Sequence, residues 1–371
     1  MRKVNILFVV IFFSVLLFIP VWSAVQPERE FIRSERRRAA AFPVLSFAGI
    51  LNREVMDGVE DYARDQVVFR DGFRAWKAFA LKDMLFMKEN NGLYQVGDGI
   101  YRLEYPFNKE KTVRAAKKFS GIAKQYFPKA DVYYSVIPDK NYFVAGENGY
   151  PEMDYGSLFS AMRENMTGMS YIDITGMLET GDYYRTDLHW KQEEITDTAD
   201  FLLEAMGKDV NGTEAEDYEE CVKYDSYYGS YASQSGWRVK PDMIRCLTNP
   251  VIESAVVTDY EKKAKIPVYA REVLSEDAVS MDEYDVYLSG AKALLTLENP
   301  TNPDGGELVL FRDSFGSSIA PLLLKGYSKI TMIDLRYVMM EYAARMVELP
   351  EQCDVLFLYN TQILNHSDSL R

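Results

Sequence analysis

Histidine is nearly missing from this chain: His189 and His366 are the only two in 371 residues. Cysteine is almost as scarce, with Cys221, Cys246 and Cys353, and none stands in a Cys-x-x-Cys pair. These shortages argue against a structural zinc site, which needs four such ligands. Three cysteines cannot all pair within one chain. Partly buried thiols serving as small hydrophobes are the expected state, and a Cys221–Cys246 bridge stays open for an oxidising compartment. Basic charge is in deficit too: 42 Lys and Arg against 56 Asp and Glu leave a formal net charge of −14. The phosphate backbone repels such a chain, which argues against a nucleic-acid partner. Internal repeats and low-complexity tracts are absent. Aromatics, by contrast, are abundant, with 26 Tyr. Disordered chains are poor in them, so most of this one is expected to fold, as one large domain or two smaller ones.

The one long apolar run stands at the amino terminus. Arg2 and Lys3 precede Ile6–Ile19, broken only by Ser14, and Pro20–Val25 follow. A basic start and an apolar middle read as a signal peptide or a membrane anchor over residues 1–25. From Val4 to Val25 the segment is long enough to span a bilayer, which takes about 20 apolar residues. Residues 26–45 then read as a charged linker, and 46–371 as the functional domain. The expected location is the extracytoplasmic face of the membrane, or outside the cell if the chain is cut before Ala24.

Further along, helical periodicity runs from Asn52 to Lys88, with Val55, Val59, Tyr62 and Ala63 on one face. Helices are expected over Lys109–Phe127, Tyr155–Met166, Trp190–Met206, Ser317–Leu324 and Tyr337–Val347. Between them stand apolar runs at Asp131–Pro138, Met169–Ile174, Glu307–Phe311, Lys329–Ile333 and Asp354–Tyr359. Such alternation predicts an α/β fold with a parallel sheet covered by helices on both faces. Its site should lie beyond the carboxyl ends of the strands. Residues 207–300 have a different texture, Tyr- and Ser-rich, with short alternating pieces at Asp282–Leu288 and Ala293–Leu297. They read as a mostly β insertion carrying loops over that site.

Two places carry chemistry. Asp187 and His189 stand two apart in Arg185-Thr-Asp-Leu-His-Trp190. In extended chain such residues point to the same side, so the carboxylate can fix the imidazole's tautomer and make it a base. A plain helix cap is the competing reading of Asp187. Ser314 follows an apolar strand and precedes a helix, which puts its hydroxyl near N–H groups able to stabilise an oxyanion; capping competes here as well. A serine hydroxyl needs a base, and one of only two histidines sits in an Asp-x-His. His366 belongs to a polar tail and is expected to face solvent.

Seven segments in order resemble the DHHW-type proteins of Gram-positive bacteria, relatives of the SGNH-hydrolase-like domains of alginate O-acetyltransferases. They are Val68–Asp71, Lys88–Tyr94, Ile137–Phe143, Tyr184–Trp190, Arg312–Phe315, Ile333–Tyr337 and Leu356–Asn360. The resemblance places the family's Asp-x-His-Trp on Asp187, His189 and Trp190, and its Asp-Ser on Asp313 and Ser314, with Ser314 as nucleophile. Leu188 stands where the name motif has His, and Arg312 where many relatives have Gly. Ser289-Gly-Ala-Lys292 replaces a frequent Gly-Gly-Asn. Support for an oxyanion or the substrate is expected from Phe315, Arg312, Gly290 and Asn360. The resemblance implies acyl, chiefly acetyl, transfer to or from a cell-surface polysaccharide, with the donor delivered by a membrane-bound O-acyltransferase. No cofactor or metal is called for. The alternative is a surface glycan-binding or scaffold protein without turnover, for which the Tyr-rich stretch Tyr218–Tyr231 speaks.

Overall fold

A computed structural model describes residues 2–32, 35, 37–209, 218–270 and 282–371. Two compact units emerge: Met1–Asn91 with Ala232–Arg238, and Gly92–Tyr231 with Val239–Arg371.

In the first unit, α1 (Arg2–Val25) is the apolar amino-terminal helix. Its stretch Val4–Val25 is long and apolar enough to cross a membrane. Helices α2 (Glu54–Gln66) and α3 (Arg70–Phe79) follow. Asp65 is buried near the end of α2 and accepts two N–H groups of Arg37 at 2.6 and 2.7 Å. That ion pair holds part of the 26–45 segment against α2.

The second unit begins with the hairpin β1 (Leu93–Val96) and β2 (Gly99–Arg102). Helix α4 (Lys109–Tyr126) is capped by Asn108, whose side chain accepts the Lys111 N–H at 3.1 Å. Strand β3 (Asp131–Ile137) leads through Asp139 into the short helix α5 (Lys140–Val144). Next come α6 (Tyr155–Asn165), β4 (Ser170–Tyr171) and α7 (Thr196–Ala205). Strands β5 (Glu219–Tyr227) and β6 (Asp242–Thr248) pair as a separate antiparallel ribbon. After β7 (Val256–Asp259), β8 (Ala264–Ile266) and β9 (Leu294–Glu298) the chain enters β10 (Glu307–Arg312). Helix α8 (Gly316–Leu323), β11 (Lys329–Ile333), α9 (Met340–Met346), β12 (Asp354–Asn360) and α10 (Thr361–Asn365) complete it.

Among the described residues, eight strands make one sheet in the order β8-β7-β9-β11-β10-β12-β3-β4. The five from β11 to β4 are parallel, while β9, β7 and β8 extend it antiparallel. The apolar strands alternate between two cores. Leu308 and Leu310 of β10 pack with α7 and α8, and Val309 and Phe311 pack with α4, α6 and α9. A strand buried on both faces has to be apolar at every position, which is why these runs were visible in the sequence.

Three expectations change. The α/β class holds, but residues 207–300 are not wholly apart from the sheet, since β7, β8 and β9 continue it. Asp282–Leu288 is no strand: the Asp282 carboxylate accepts the Tyr284 N–H at 3.0 Å and starts a 3-10 turn over Glu283–Val286. The helix expected from Trp190 starts at Thr196 instead. Trp190 bridges back to Tyr183, and the Lys191 N–H bonds Asp182 O at 2.7 Å. Residues 183–190 therefore form a closed loop.

Candidate active site

Three neighbouring parallel strands end side by side and are laced together. The Asp313 carboxylate after β10 accepts the Phe315 N–H at 3.0 Å and the Asn360 N–H, at the end of β12, at 2.7 Å. Thr361 Oγ1 in turn accepts the Asp139 N–H beyond β3 at 3.0 Å. Burial pushes the Asp313 carboxyl above its ordinary range. Ser314 rests on this frame and is partly exposed.

The loop 183–190 brings the histidine to it. His189 Nε2 lies 2.8 Å from Ser314 Oγ, and His189 Nδ1 lies 2.6 Å from Asp187 Oδ1. Asp187 is fully buried and His189 nearly so. The local geometry is not the plain extended one. Asp187 Oδ1 also accepts the His189 N–H at 3.1 Å, an Asx-type turn that aims carboxylate and ring at each other. Asp187 caps no helix in its own segment, but its Oδ2 accepts the N–H of Ser230, where the short helix Ser230–Ser235 begins, at 2.6 Å, so both oxygens receive N–H groups while one also holds the imidazole.

Groups distant in sequence hold the loop. Asp242, opening β6, accepts the Thr186 N–H at 2.8 Å and hydroxyl at 2.6 Å, and the Arg185 Nε–H at 3.0 Å. Gly229 packs so tightly that a Cβ there would stand 2.3 Å from Asp187 Cβ and 2.4 Å from Thr186 O. Lys140 is buried with its Nζ among four backbone carbonyls: Ile100 and Tyr184 at 2.7 Å, Asp187 at 2.9 Å and Arg185 at 3.2 Å. Burial pulls this ammonium down to about 7 against the upward pull of Asp187 and Asp242. Finally, the Tyr284 ring lies parallel to the His189 ring at 3.8 Å, with Phe315 on the imidazole at 4.8 Å. The Tyr284 hydroxyl donates to Ser318 Oγ at 2.9 Å, which also accepts Trp190 Nε1–H at 2.8 Å.

Ser314, His189 and Asp187 are thus brought together. The four support residues lie otherwise. The Phe315 N–H is held by Asp313, and the next two N–H groups bond Asp313 O and Ser314 O at 3.1 Å each. Arg312 is wholly buried, donating to Asp313 O and Lys292 O at 3.2 Å. Gly290 (φ +86°) sits where a Cβ would meet the Asp285 carboxylate. The Asn360 side chain donates to Ile137 O at 3.2 Å and caps α10 through the Gln362 N–H. His366 is largely exposed but bonds Glu104 at 2.7 Å. Sequence reasoning missed Gly229, Ser230, Asp242 and Tyr284, which carry no local signature. Lys140 stands in the segment Ile137–Phe143, where nothing in the neighbouring sequence marks it as the holder of a distant loop.

No protein-family model and no curated protein sequence matches the chain. Solved structures do match its fold. A DHHW family protein from Eubacterium siraeum superposes with a TM-score of 0.59 at 16% identity, over 76% of this chain and 97% of that one. Bacillus cereus PatB1 does so with 0.56 at 15% identity, over 74% and 97%. PatB1 with a sulfonyl adduct gives 0.55 at 13%, over 73% and 97%. The DHHW-type fold expected from the seven segments is therefore the fold this chain has.

Proposed function

We propose that the protein is a serine-dependent acyl-transfer enzyme acting outside the cytoplasm on a cell-surface polysaccharide, with Ser314 as nucleophile, His189 as general base and Asp187 orienting His189. The observation that carries this reading is the continuous bonded line Asp187 Oδ1, His189 Nδ1, His189 Nε2, Ser314 Oγ, at 2.6 and 2.8 Å. Asp187 keeps the proton on Nδ1, so Nε2 is free to accept one. Ser314 Oγ attacks the acyl carbonyl and its proton passes to Nε2. The donor's leaving group departs with that proton, which leaves an acyl ester on Ser314. An acceptor hydroxyl then gives its proton to Nε2 and attacks the ester, and Ser314 Oγ recovers a proton from His189. A sugar hydroxyl as acceptor makes the enzyme a transferase; water makes it an esterase.

Support for an acetyl group and a polysaccharide comes from the family resemblance, and α1 supports anchoring at the membrane, where a membrane-bound O-acyltransferase would deliver the donor. A sulfonyl adduct has been seen on Bacillus cereus PatB1, which recommends a sulfonyl fluoride as probe. Full-length protein is treated with the probe and mapped by peptide mass spectrometry, and hydrolysis of an activated acetyl ester is followed in parallel. Label on Ser314, together with loss of turnover in Ser314→Ala, is expected. Turnover undiminished in Ser314→Ala would remove the nucleophile assignment.

One observation favours a second reading, a glycan-binding or scaffold role without turnover: the three N–H groups after Ser314 are already engaged within the chain. A binder of that kind retains glycan affinity and hydrolyses no ester.

A further inference from the structure

Helix α3 is turned inside out for a protein in water. Its inward side is ionic. Arg70 is 6% exposed and paired with Glu35, and Arg74 lies 3.3 Å from Glu35 and donates to Ser233 O at 2.8 Å. Its outward side is aromatic. Phe69 at its start is 57% exposed, Phe73 49%, Trp76 64% and Phe79 52%. At 3.6 residues per turn these four share one stripe. The same unit exposes Val44, Leu45, Phe47, Ile50 and Leu51, and then Met84 to Met87. Soluble surfaces scatter single apolar residues; contiguous patches mark contact with another apolar phase.

The position of α3 identifies that phase. The two residues just before it touch the end of α1: the Phe69 ring meets Trp22 edge-on at 5.3 Å, and Ser23 Oγ accepts the Val68 N–H at 3.1 Å. Trp22 and Ser23 belong to the last turn of the apolar helix, where a span reaches the headgroup layer. Tryptophan prefers that level. An amphipathic helix with aromatics on one face lies in the interface plane with its apolar side about 5–10 Å deep.

We propose that the Phe69–Phe73–Trp76–Phe79 face of α3 is a lipid-binding surface, embedded in the interfacial layer of the bilayer that α1 spans. This rests on the reading of α1 as a membrane span. It gives the chain two attachments, one crossing the bilayer and one lying in it.

The test uses the full chain in phosphatidylcholine–phosphatidylglycerol vesicles and the protein's own tryptophans. Of its four Trp, Trp22 lies in α1 and is replaced by Phe to silence the span. Emission of Trp22→Phe is compared in plain vesicles and in vesicles whose lipids are brominated near the headgroup end of the acyl chains. The same is done for Trp22→Phe/Trp76→Phe. Quenching in the first and its loss in the second is the expected result; both changes keep an aromatic ring, and melting curves check the fold. Flotation with the vesicles but no quenching of Trp22→Phe overturns the α3 surface and leaves the span standing. A face reserved for a protein partner gives that outcome. Failure of the full chain to float overturns both.

Discussion

The imidazole of His189 lies flat against the phenol ring of Tyr284, centroids 3.8 Å apart and planes 5° from parallel. The ring fixes the histidine from one face while Asp187 and Ser314 fix its two nitrogens. The tyrosine hydroxyl is spent on Ser318 and has no part in the stack. Tyr284→Phe should keep the stack and lose less than about tenfold in turnover, as for one neutral hydrogen bond. Tyr284→Leu should lose more than Tyr284→Phe, because the imidazole can then tilt. Steady-state ester hydrolysis by the two variants checks the ranking.

Asp187→Asn separates orientation from packing. Both carboxylate oxygens accept N–H groups, from His189 and from Ser230. An amide has one oxygen, so its NH2 must face one of those donors or the imidazole. Facing Nδ1, it donates and forces the proton onto Nε2, the wrong tautomer. We expect a protein that still folds, with a melting temperature lowered by the one buried donor that then faces an NH2, and a loss of turnover on the order of 10²-fold or more. Near-normal turnover in a well-folded variant would leave a Ser314–His189 dyad.

Gly229→Ala tests the close approach behind Asp187. The new methyl would stand 2.3 Å from Asp187 Cβ, so backbone or carboxylate has to move. A shift near 1 Å costs about 10²-fold in rate. The expected signature is a fall in kcat at similar KM.

Lys140→Met should act on the same loop from below. The ammonium holds the carbonyls of Tyr184, Arg185 and Asp187, and faces the carboxylates of Asp187 and Asp242, the Lys191 ammonium and the rings of Tyr101 and Tyr231. Buried, it releases its proton at about 7. Wild-type turnover should then fall on the alkaline side as the carbonyl cage loses its cation. The methionine variant should be slower by about 10²-fold and lack that alkaline limb. A pH–kcat profile that keeps the limb in Lys140→Met would assign it elsewhere.

Asp139 gives a stability test. Burial, aided by the Glu104 charge, raises its carboxyl to about 6, against ~3.9 in an unfolded chain. Between those values the folded state holds a proton that the unfolded state has lost. Its contribution to stability therefore falls as pH rises through that window and is level above it. Asp139→Asn lacks this slope. The stability of wild type relative to Asp139→Asn, from urea melts, should be greater at pH ~4 than at pH ~7.

Much of this was legible in the sequence, for local reasons. Strands apolar on both faces announced the parallel sheet, and the apolar run before Val25 announced α1. Asp187 and His189 were readable as a pair because two residues of spacing set their relative reach. Ser314 was readable because a strand-to-helix junction puts a side chain at the sheet's edge. Where local patterns were followed too far, they misled. The helix expected from Trp190 starts late because the Lys191 N–H bonds back to Asp182 O and the Tyr184 N–H to His189 O, and the Asp282 turn replaces a strand because its carboxylate captures a nearby N–H.

What the sequence determined, then, is the α/β class, the amino-terminal helix and which few residues are able to do acyl chemistry, since composition, periodicity and short spacing act within a few residues of chain. That His189 meets Ser314 across 125 positions, and that Gly229, Ser230, Asp242, Lys140 and Tyr284 together hold its loop, is settled in the folded chain alone. These contacts arise where distant segments converge at the carboxyl ends of β3, β12 and β10. A buried ammonium or a glycine pressed on a carboxylate is set by the partners that surround it in space, and those partners leave no periodic trace along the chain.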